Sequence, residues 1–423
     1  MPDSGAPIPE PKWVFPPETT LLSDGTPPLS PLETRLRAVG DYADIETIDL
    51  SVVDLHADRD ALGDPQRQLL ETTVSRALAA LGSEGLGIVY VVGYGLDEAA
   101  VQRQYDIASV FFDAVDDEEK RKYVAKIAEE GSWAGYKPKG YYNRPDGTQD
   151  VNESFNFYPE TMYESRMPQA TRQYLDEYRR FLEVCHYTVV SKMLYILSLG
   201  LGLPPDTLWK LHHQGGYDDD GALRGPSDEA IPWKHSQDHF RFHLYCPPRE
   251  EDMKKKPERL WMRSHADIGT LTLNFSQPIS ALQVLTPDGK WAWVRPKPGA
   301  ILVNFGATME YITAGRLKAA FHRVSEPPED QRRSRRLGIH YFVKLLPNVR
   351  IDVPLLTGHD DEVDHFREYR ERGGPPLKYA EWEKFRSQWA YRPRPVPSAD
   401  RTLEDVLIDL HFKEGPYSEA TKT

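Results

Sequence analysis

Cysteine is nearly missing from this sequence: 423 residues contain two, Cys185 and Cys246. A disulfide scaffold and a cysteine-rich zinc module are excluded, and a reducing compartment, the cytosol by default, fits the count. Positive charge is also short, with 52 lysines and arginines against 65 aspartates and glutamates, a formal net charge of −13. That balance argues against a nucleic acid or an anionic membrane as principal partner, because both need basic patches. No apolar run approaches the roughly 20 residues of a membrane span. The opening residues Met1 to Lys12 lack the charged start and apolar stretch of a secretory signal. These absences point to a soluble, cytoplasmic chain acting on small molecules, long enough to bury a large core; its oligomeric state is left open.

Proline, by contrast, is abundant: 35 in all, nine of them within the first 31 residues. Residues 1–40 therefore read as an extended arm. In 41–210, expected to be a helical N-terminal region, Ile45 to Leu50 alternates like a strand and Asp64-Pro65 reads as a helix cap followed by proline at the first helical position. Gly87 to Val92 reads as a buried strand, Asp97 caps a second helix, and the charged stretch Asp116 to Lys122 is expected to continue on a solvated face. The stripe Leu175, Tyr178, Leu182, Cys185, Val189, Met193 and Ile196 predicts one long amphipathic helix over 172–199, with Cys185 in the core. Residues 211–239 form a loop and possible lid; Gly215 to Asp228 has no period, and Asp218-Asp219-Asp220 suits a solvated loop or a divalent cation.

From 240 to 346 the texture becomes short alternating runs separated by turns, the pattern of a β-sandwich or barrel, with Pro287 to Lys290 as a hairpin turn. Residues 347–423 read as a C-terminal helical extension, its last helix opened by Thr402 with Asp405 three residues on.

Two residues apart on a strand means one face, so His265 and Asp267 can grip one metal ion. Alone the signal is weak: thirteen histidines at this acidic frequency yield about two His-x-acid triplets by chance, and there are three. His56-Ala57-Asp58 precedes a helix and His359-Asp360-Asp361 lies in a polar loop. Only His265 and Asp267 are followed by a second strand-embedded histidine, in Phe321-His322-Arg323-Val324. Two histidines and a carboxylate on a β-scaffold are the facial triad of non-haem Fe(II) oxygenases; zinc, which also accepts such a set, is the alternative. A keto acid chelating the iron supplies the electrons dioxygen needs, and its far carboxylate requires a cation. Arg336 enters the next strand, where alternation puts Arg336, Gly338, His340 and Phe342 on one face. An arginine there also suits a surface position, but guanidinium is the best fork for a carboxylate.

His265-Ala266-Asp267, Val303-Asn304-Phe305-Gly306 leading through Glu310, Thr313 and Gly315 to His322-Arg323-Val324, and Arg336 before Tyr341-Phe342 together resemble the isopenicillin N synthase-like Fe(II)/2-oxoglutarate-dependent dioxygenases. Ile48-Asp49-Leu50, Gly93-Tyr94-Gly95 and Phe111-Phe112 before Lys120 extend the resemblance over residues 45 to 345. It implies an α+β fold, a double-stranded β-helix (jelly-roll) core flanked by N-terminal and C-terminal helices. It also implies Fe(II) on His265, Asp267 and His322, and 2-oxoglutarate held at Arg336, with Tyr245 and Gly338 at matching cofactor positions. Ascorbate would serve as an in vitro reductant. The chain departs from the family at three points. Arg-x-Ser becomes Arg336-Leu337-Gly338, Tyr-Tyr-Pro becomes Tyr245-Cys246-Pro247, and Leu244 stands where many members have asparagine.

The expected activity is hydroxylation, desaturation or cyclisation of a small-molecule metabolite, in the manner of secondary metabolism, with release of succinate and carbon dioxide. His340, Phe342 and Arg263 are the expected substrate residues. Two alternatives stand beside it: an iron oxidase of the same fold that uses no 2-oxoglutarate, and a non-catalytic small-molecule binder.

Overall fold

A computed structural model describes residues 10–15, 42–57, 61–141, 150–158, 167–213, 237–247, 260–328, 331–358, 362–390, 392, 395 and 401–414. Among them, two sheets form. The larger has the order β1 (Thr47–Asp49), β2 (Ile88–Val92), β10 (Ile301–Phe305), β7 (Leu271–Phe275), β12 (Arg336–Val343), β5 (His239–Tyr245), β4 (Asn152–Phe157) and β3 (Gly135–Lys137). The smaller has the order β6 (Leu260–His265), β11 (His322–Ser325), β8 (Leu282–Leu285) and β9 (Trp291–Trp293). β1 and β2 are parallel; the other pairs are antiparallel.

Alternation sorts the larger sheet into two faces. Leu337, Ile339, Tyr341 and Val343 of β12 join Phe240, Phe242 and Leu244 of β5 in the apolar core beneath the helices. On the opposite face Tyr245, Tyr90 and Leu302 pack with Trp261, Val284 and Val324 of the smaller sheet. The space between the sheets is thus apolar at one end and open to polar residues elsewhere. Leu244 is 1% exposed in the helix-side core, so it points away from the intersheet space, and the inward neighbour two residues before Tyr245 is His243.

Residues 41–210 supply, beside their helices, the two expected strands β1 and β2 and two more, β3 and β4, the latter paired with Phe240 to Tyr245 of β5 over Asn152 to Phe157. The helix Asp64–Leu81 begins one residue earlier than its proline suggests. Gly63 is the cap, its N–H donating to Gln66 Oε1 at 3.1 Å, and Asp64 is already helical. Asp97 caps the helix Glu98–Asp113 through Ala100 N–H at 2.7 Å. The stretch from Asp116 is a separate short helix, Asp117–Arg121, rather than a solvated continuation. Lys120 turns inward because β4 offers it Glu153 at 3.7 Å and Phe112 its carbonyl at 2.9 Å.

The long helix expected over 172–199 is segmented. A 3-10 turn, Gln169–Tyr174, leads into the helix Leu175–Val184, a π turn, Cys185–Val190, and the helix Ser191–Gly200. A π turn inserts an extra residue per turn without breaking the axis, so the stripe stays buried through Cys185, Val189, Met193 and Ile196. Burial pushes the Cys185 thiol pKa up, so it packs as an inert apolar side chain.

The hairpin at Thr286 closes with Thr286 N–H on Lys290 carbonyl at 2.8 Å, and Gly289 takes φ 79. The described C-terminal helices are the short Arg367–Glu371 and the two expected ones, Tyr379–Trp389 and Leu403–Glu414, the last capped reciprocally by Thr402 and Asp405. Of the proline-rich arm, residues 10–15 lie against the helix Glu98–Asp113, with Trp13 N–H on Asp106 at 2.8 Å; the rest of the arm lies outside the described residues. So do 214–236 of the expected loop, whose two ends already belong to the helix Thr207–His212 and to β5.

Candidate active site

β6 ends at His265, so Asp267 lies just beyond the strand rather than on its face. What brings the pair together is the turn after the strand. Ala307 N–H donates to Asp267 carbonyl at 2.8 Å and Gly306 N–H to Thr270 carbonyl at 3.0 Å, pinning the turn to the end of β10. Gly306 has to be glycine, since an added Cβ would stand 2.2 Å from Gly269 carbonyl and 2.7 Å from that of Asp267. His322 is paired with His265 across β11 and β6. The rings are 4.5 Å apart, and Asp267 Oδ1 lies 3.6 Å from His265 Nε2 and 3.9 Å from His322 Nε2. One ligand atom from each of the three falls within 4.8 Å of the others, a set able to hold a metal ion.

The surrounding bonds orient all three outward atoms. His265 Nδ1 is 2.8 Å from Arg263 carbonyl and His322 Nδ1 3.0 Å from Ala320 carbonyl, so each Nδ1 carries the proton and each Nε2 presents its lone pair. Thr272 Oγ1 at 2.6 Å and Asn304 Nδ2 at 2.9 Å both donate to Asp267 Oδ2, leaving Oδ1 toward the histidines. Burial alone would raise the Asp267 carboxyl, but the charge that His322 and His265 carry when protonated, and the Thr272 bond, hold it well below the usual range. Burial and then His265 lower the His322 imidazole, which favours its neutral, ligating form.

Thr272 and Asn304 escaped notice as carboxylate holders, although polar residues inside buried strands signal the role. Because partners of this kind typically contribute 10- to 100-fold to metal affinity, Asn304→Ala should weaken Fe(II) binding by about 10-fold, measured by competition with a chelator. Unchanged affinity would mean that Asp267 is held by other contacts.

Beside the cluster lies a cavity of about 170 Å³. Of the three expected substrate residues Arg263 and Phe342 line it and His340 does not; Lys137, Arg241, His239 and His243 line it too, and parity from Tyr245 could have placed the β5 residues among them. The C-terminal extension reaches it as well, through Glu383, Arg386 and His411. Lys137 pairs with Asp150 and Lys344 with Glu383, both buried. Arg336 opens instead on a smaller cavity of about 30 Å³, with Asn274 and Gln277. It is 4% exposed, its Nε donates to Ile279 carbonyl at 3.4 Å, and its guanidinium lies 5.5 Å from the Tyr245 ring. His56 is exposed in a turn and belongs to no metal-holding cluster among the described residues, and His359 lies outside the described residues.

The profile of the 2OG-Fe(II) oxygenase superfamily matches residues 237–344, and that described as non-haem dioxygenase in morphine synthesis N-terminal matches 45–177. Leucoanthocyanidin dioxygenase 1 of Oryza sativa subsp. indica is 30% identical over 294 residues, covering 68% of this chain and 69% of that protein. The chain belongs to the 2OG-Fe(II) oxygenase superfamily. As a 2OG-Fe(II) oxygenase it is an oxidoreductase that uses Fe(II), 2-oxoglutarate and dioxygen. Membership supports neither the keto-acid-independent oxidase nor the non-catalytic binder. A full-length Neurospora crassa protein, solved in complex with alpha-KG and 5-formyluracil, is similar to this oxygenase with TM-score 0.61 at 18% identity, over 81% of this chain and 96% of that one. The dioxygenase for auxin oxidation in rice gives 0.56 at 19%, over 82% and 97%. At these identities the likeness concerns the fold, an α+β jelly-roll architecture flanked by helices.

Proposed function

We propose that His265, Asp267 and His322 hold the ferrous ion, that Arg336 pairs with the distal carboxylate of 2-oxoglutarate, and that the larger cavity receives a small-molecule metabolite. The observation that carries this is the cluster itself: two imidazole nitrogens and one carboxylate oxygen converging from one side, with their second atoms tied down. Such a donor set suits Fe(II) and leaves positions for further ligands. Bound there, iron and the keto acid supply the oxidising chemistry, 2-oxoglutarate being converted to succinate and carbon dioxide as the metabolite is hydroxylated, desaturated or cyclised. The protein holds each imidazole in the ligating tautomer and fixes the carboxylate. It surrounds the reacting space with Trp133, Trp261 and Phe342, which limit water.

Thymine and 5-formyluracil in the Neurospora crassa protein, and the auxin named for the rice one, support small molecules as the substrate class. The cavity wall carries Lys137, Arg241, Arg263, Lys344 and Arg386 against Asp150, Asp267 and Glu383. This excess of positive charge favours acidic or oxygen-rich substrates. The two cysteines are both free thiols, which supports a cytosolic place; among the described residues no helix is long and apolar enough to cross a membrane.

Charge-assisted hydrogen bonds contribute about 1.5–3 kcal/mol each. Arg336→Ala should therefore weaken 2-oxoglutarate binding by about 10- to 150-fold, read by anaerobic titration of the metal-loaded enzyme. Equal affinity in the two proteins would remove Arg336 from the cosubstrate site.

A further inference from the structure

Arg336, Gly338, His340 and Phe342 follow one another along the inner face of β12. Arg336 lines the small cavity and Phe342 the large one, so Gly338 and His340 occupy the stretch of wall between the two. Gly338 stands where the resemblance places a serine, and the structure shows what fills the space. A Cβ at Gly338 would lie 2.7 Å from His340 Cε1, 3.3 Å from Nε2 and 3.6 Å from Nδ1. The imidazole therefore folds back over the glycine, and its two nitrogens flank the spot a serine side chain would take. A serine at 338 and this placement of His340 exclude each other.

His340 Nδ1 is enclosed and has no hydrogen-bond partner among the described residues. The same is true of Nε2 of His243, the residue paired with Gly338 across β5 and β12, whose ring lies 5.9 Å from that of His340. Buried polar nitrogens without partners are costly unless a ligand or water meets them. Burial, then Arg241 and Arg336, lower the His340 pKa to about 3, so the ring is a neutral imidazole with one N–H to give. A serine hydroxyl also has one proton to give.

We infer that His340 replaces the missing hydroxyl and donates the hydrogen bond that accompanies Arg336 on the distal carboxylate of 2-oxoglutarate. The inference rests on Arg336 as the carboxylate-binding residue. It assigns to this chain a histidine-glycine exchange: the hydroxyl is lost at 338, and the donor returns from two residues further along the same face.

The test is equilibrium binding to the Mn(II)-loaded 423-residue chain without oxygen, using 2-oxoglutarate and 2-oxobutanoate, a keto acid that lacks the distal carboxylate. His340→Ala should weaken 2-oxoglutarate by roughly 10-fold or more and leave 2-oxobutanoate within about 2-fold, a difference that general disruption of the barrel would not produce. Gly338→Ser alone should also weaken 2-oxoglutarate, because the added Cβ meets the imidazole. The double variant should recover most of the affinity, since the serine then has both space and role. Should His340→Ala fail to fold, His340→Gln retains an N–H donor and should bind 2-oxoglutarate nearly as the parent does. His340→Ala with parental affinity, equal loss for both keto acids, a double variant no tighter than either single one, or a folded His340→Gln that binds 2-oxoglutarate poorly would overturn the inference. Arg336→Ala run alongside separates the two levels. If it is unaffected, the cosubstrate reading itself fails; if it weakens while His340→Ala does not, only the role of His340 fails.

Discussion

Asp267→Ala should reduce bound iron and succinate formation to background. Asp267 is the one anionic member of the cluster, and its Oδ1 lies within 3.9 Å of both imidazole Nε2 atoms. Removing it leaves two neutral ligands, Thr272 and Asn304 lose their acceptor, and divalent affinity for such a remnant falls by orders of magnitude. The protein should stay folded, because the carboxylate contributes to a polar site rather than to the apolar core. His56→Ala, which alters an exposed turn, should keep its iron. Full iron content in Asp267→Ala would remove this residue from the metal site, whatever its neighbours do.

Asp238→Ala should lower Tm by several degrees without a direct effect on metal ligation. Asp238 is fully buried on the helix side of the larger sheet, where it accepts from Tyr341 Oη at 2.8 Å and from Lys344 N–H at 2.8 Å, and lies 3.1 Å from His186 Nδ1. His186, carried by the π turn, reaches His213 with its other nitrogen at 3.1 Å. This network ties the helical layer to the ends of β5 and β12. Deleting the carboxylate strands the Lys344 N–H and leaves Tyr341 Oη and His186 Nδ1 with only each other, 3.3 Å apart; with each unpaired buried group costing about 1–3 kcal/mol, a loss of about 2–3 kcal/mol is expected. Asp238→Asn retains an acceptor and should recover part of the loss. Thermal melts of the three proteins, with iron content measured in parallel, decide it; a Tm equal to the parent's would mean the network carries no stability.

Alternation made the strands and their faces legible: the parity that put Arg336, Gly338, His340 and Phe342 together is the parity found. Periodicity could not show the π turn at Cys185–Val190, since an inserted residue barely disturbs a stripe that was already broad. The metal cluster was legible as residue types, but its geometry depends on a turn after β6, fixed by backbone bonds to β10 that no local pattern reveals. Tertiary partners also explain Lys120, whose charge reads as surface until Glu153 of β4 is placed beside it. The departure at Gly338 looked like a loss in the sequence. Its meaning needed the position of the His340 ring, which two residues of spacing suggest but cannot fix.

The most direct test of the central claim is a stepwise titration of the full chain: Fe(II) without oxygen, then 2-oxoglutarate, then dioxygen, with succinate followed throughout. One iron per chain should bind, 2-oxoglutarate should bind tightly only once the metal is present, and succinate should appear only after oxygen is admitted. His265→Ala, Asp267→Ala and His322→Ala should each abolish the whole sequence. Succinate formed at the parental rate by any of the three variants would contradict it.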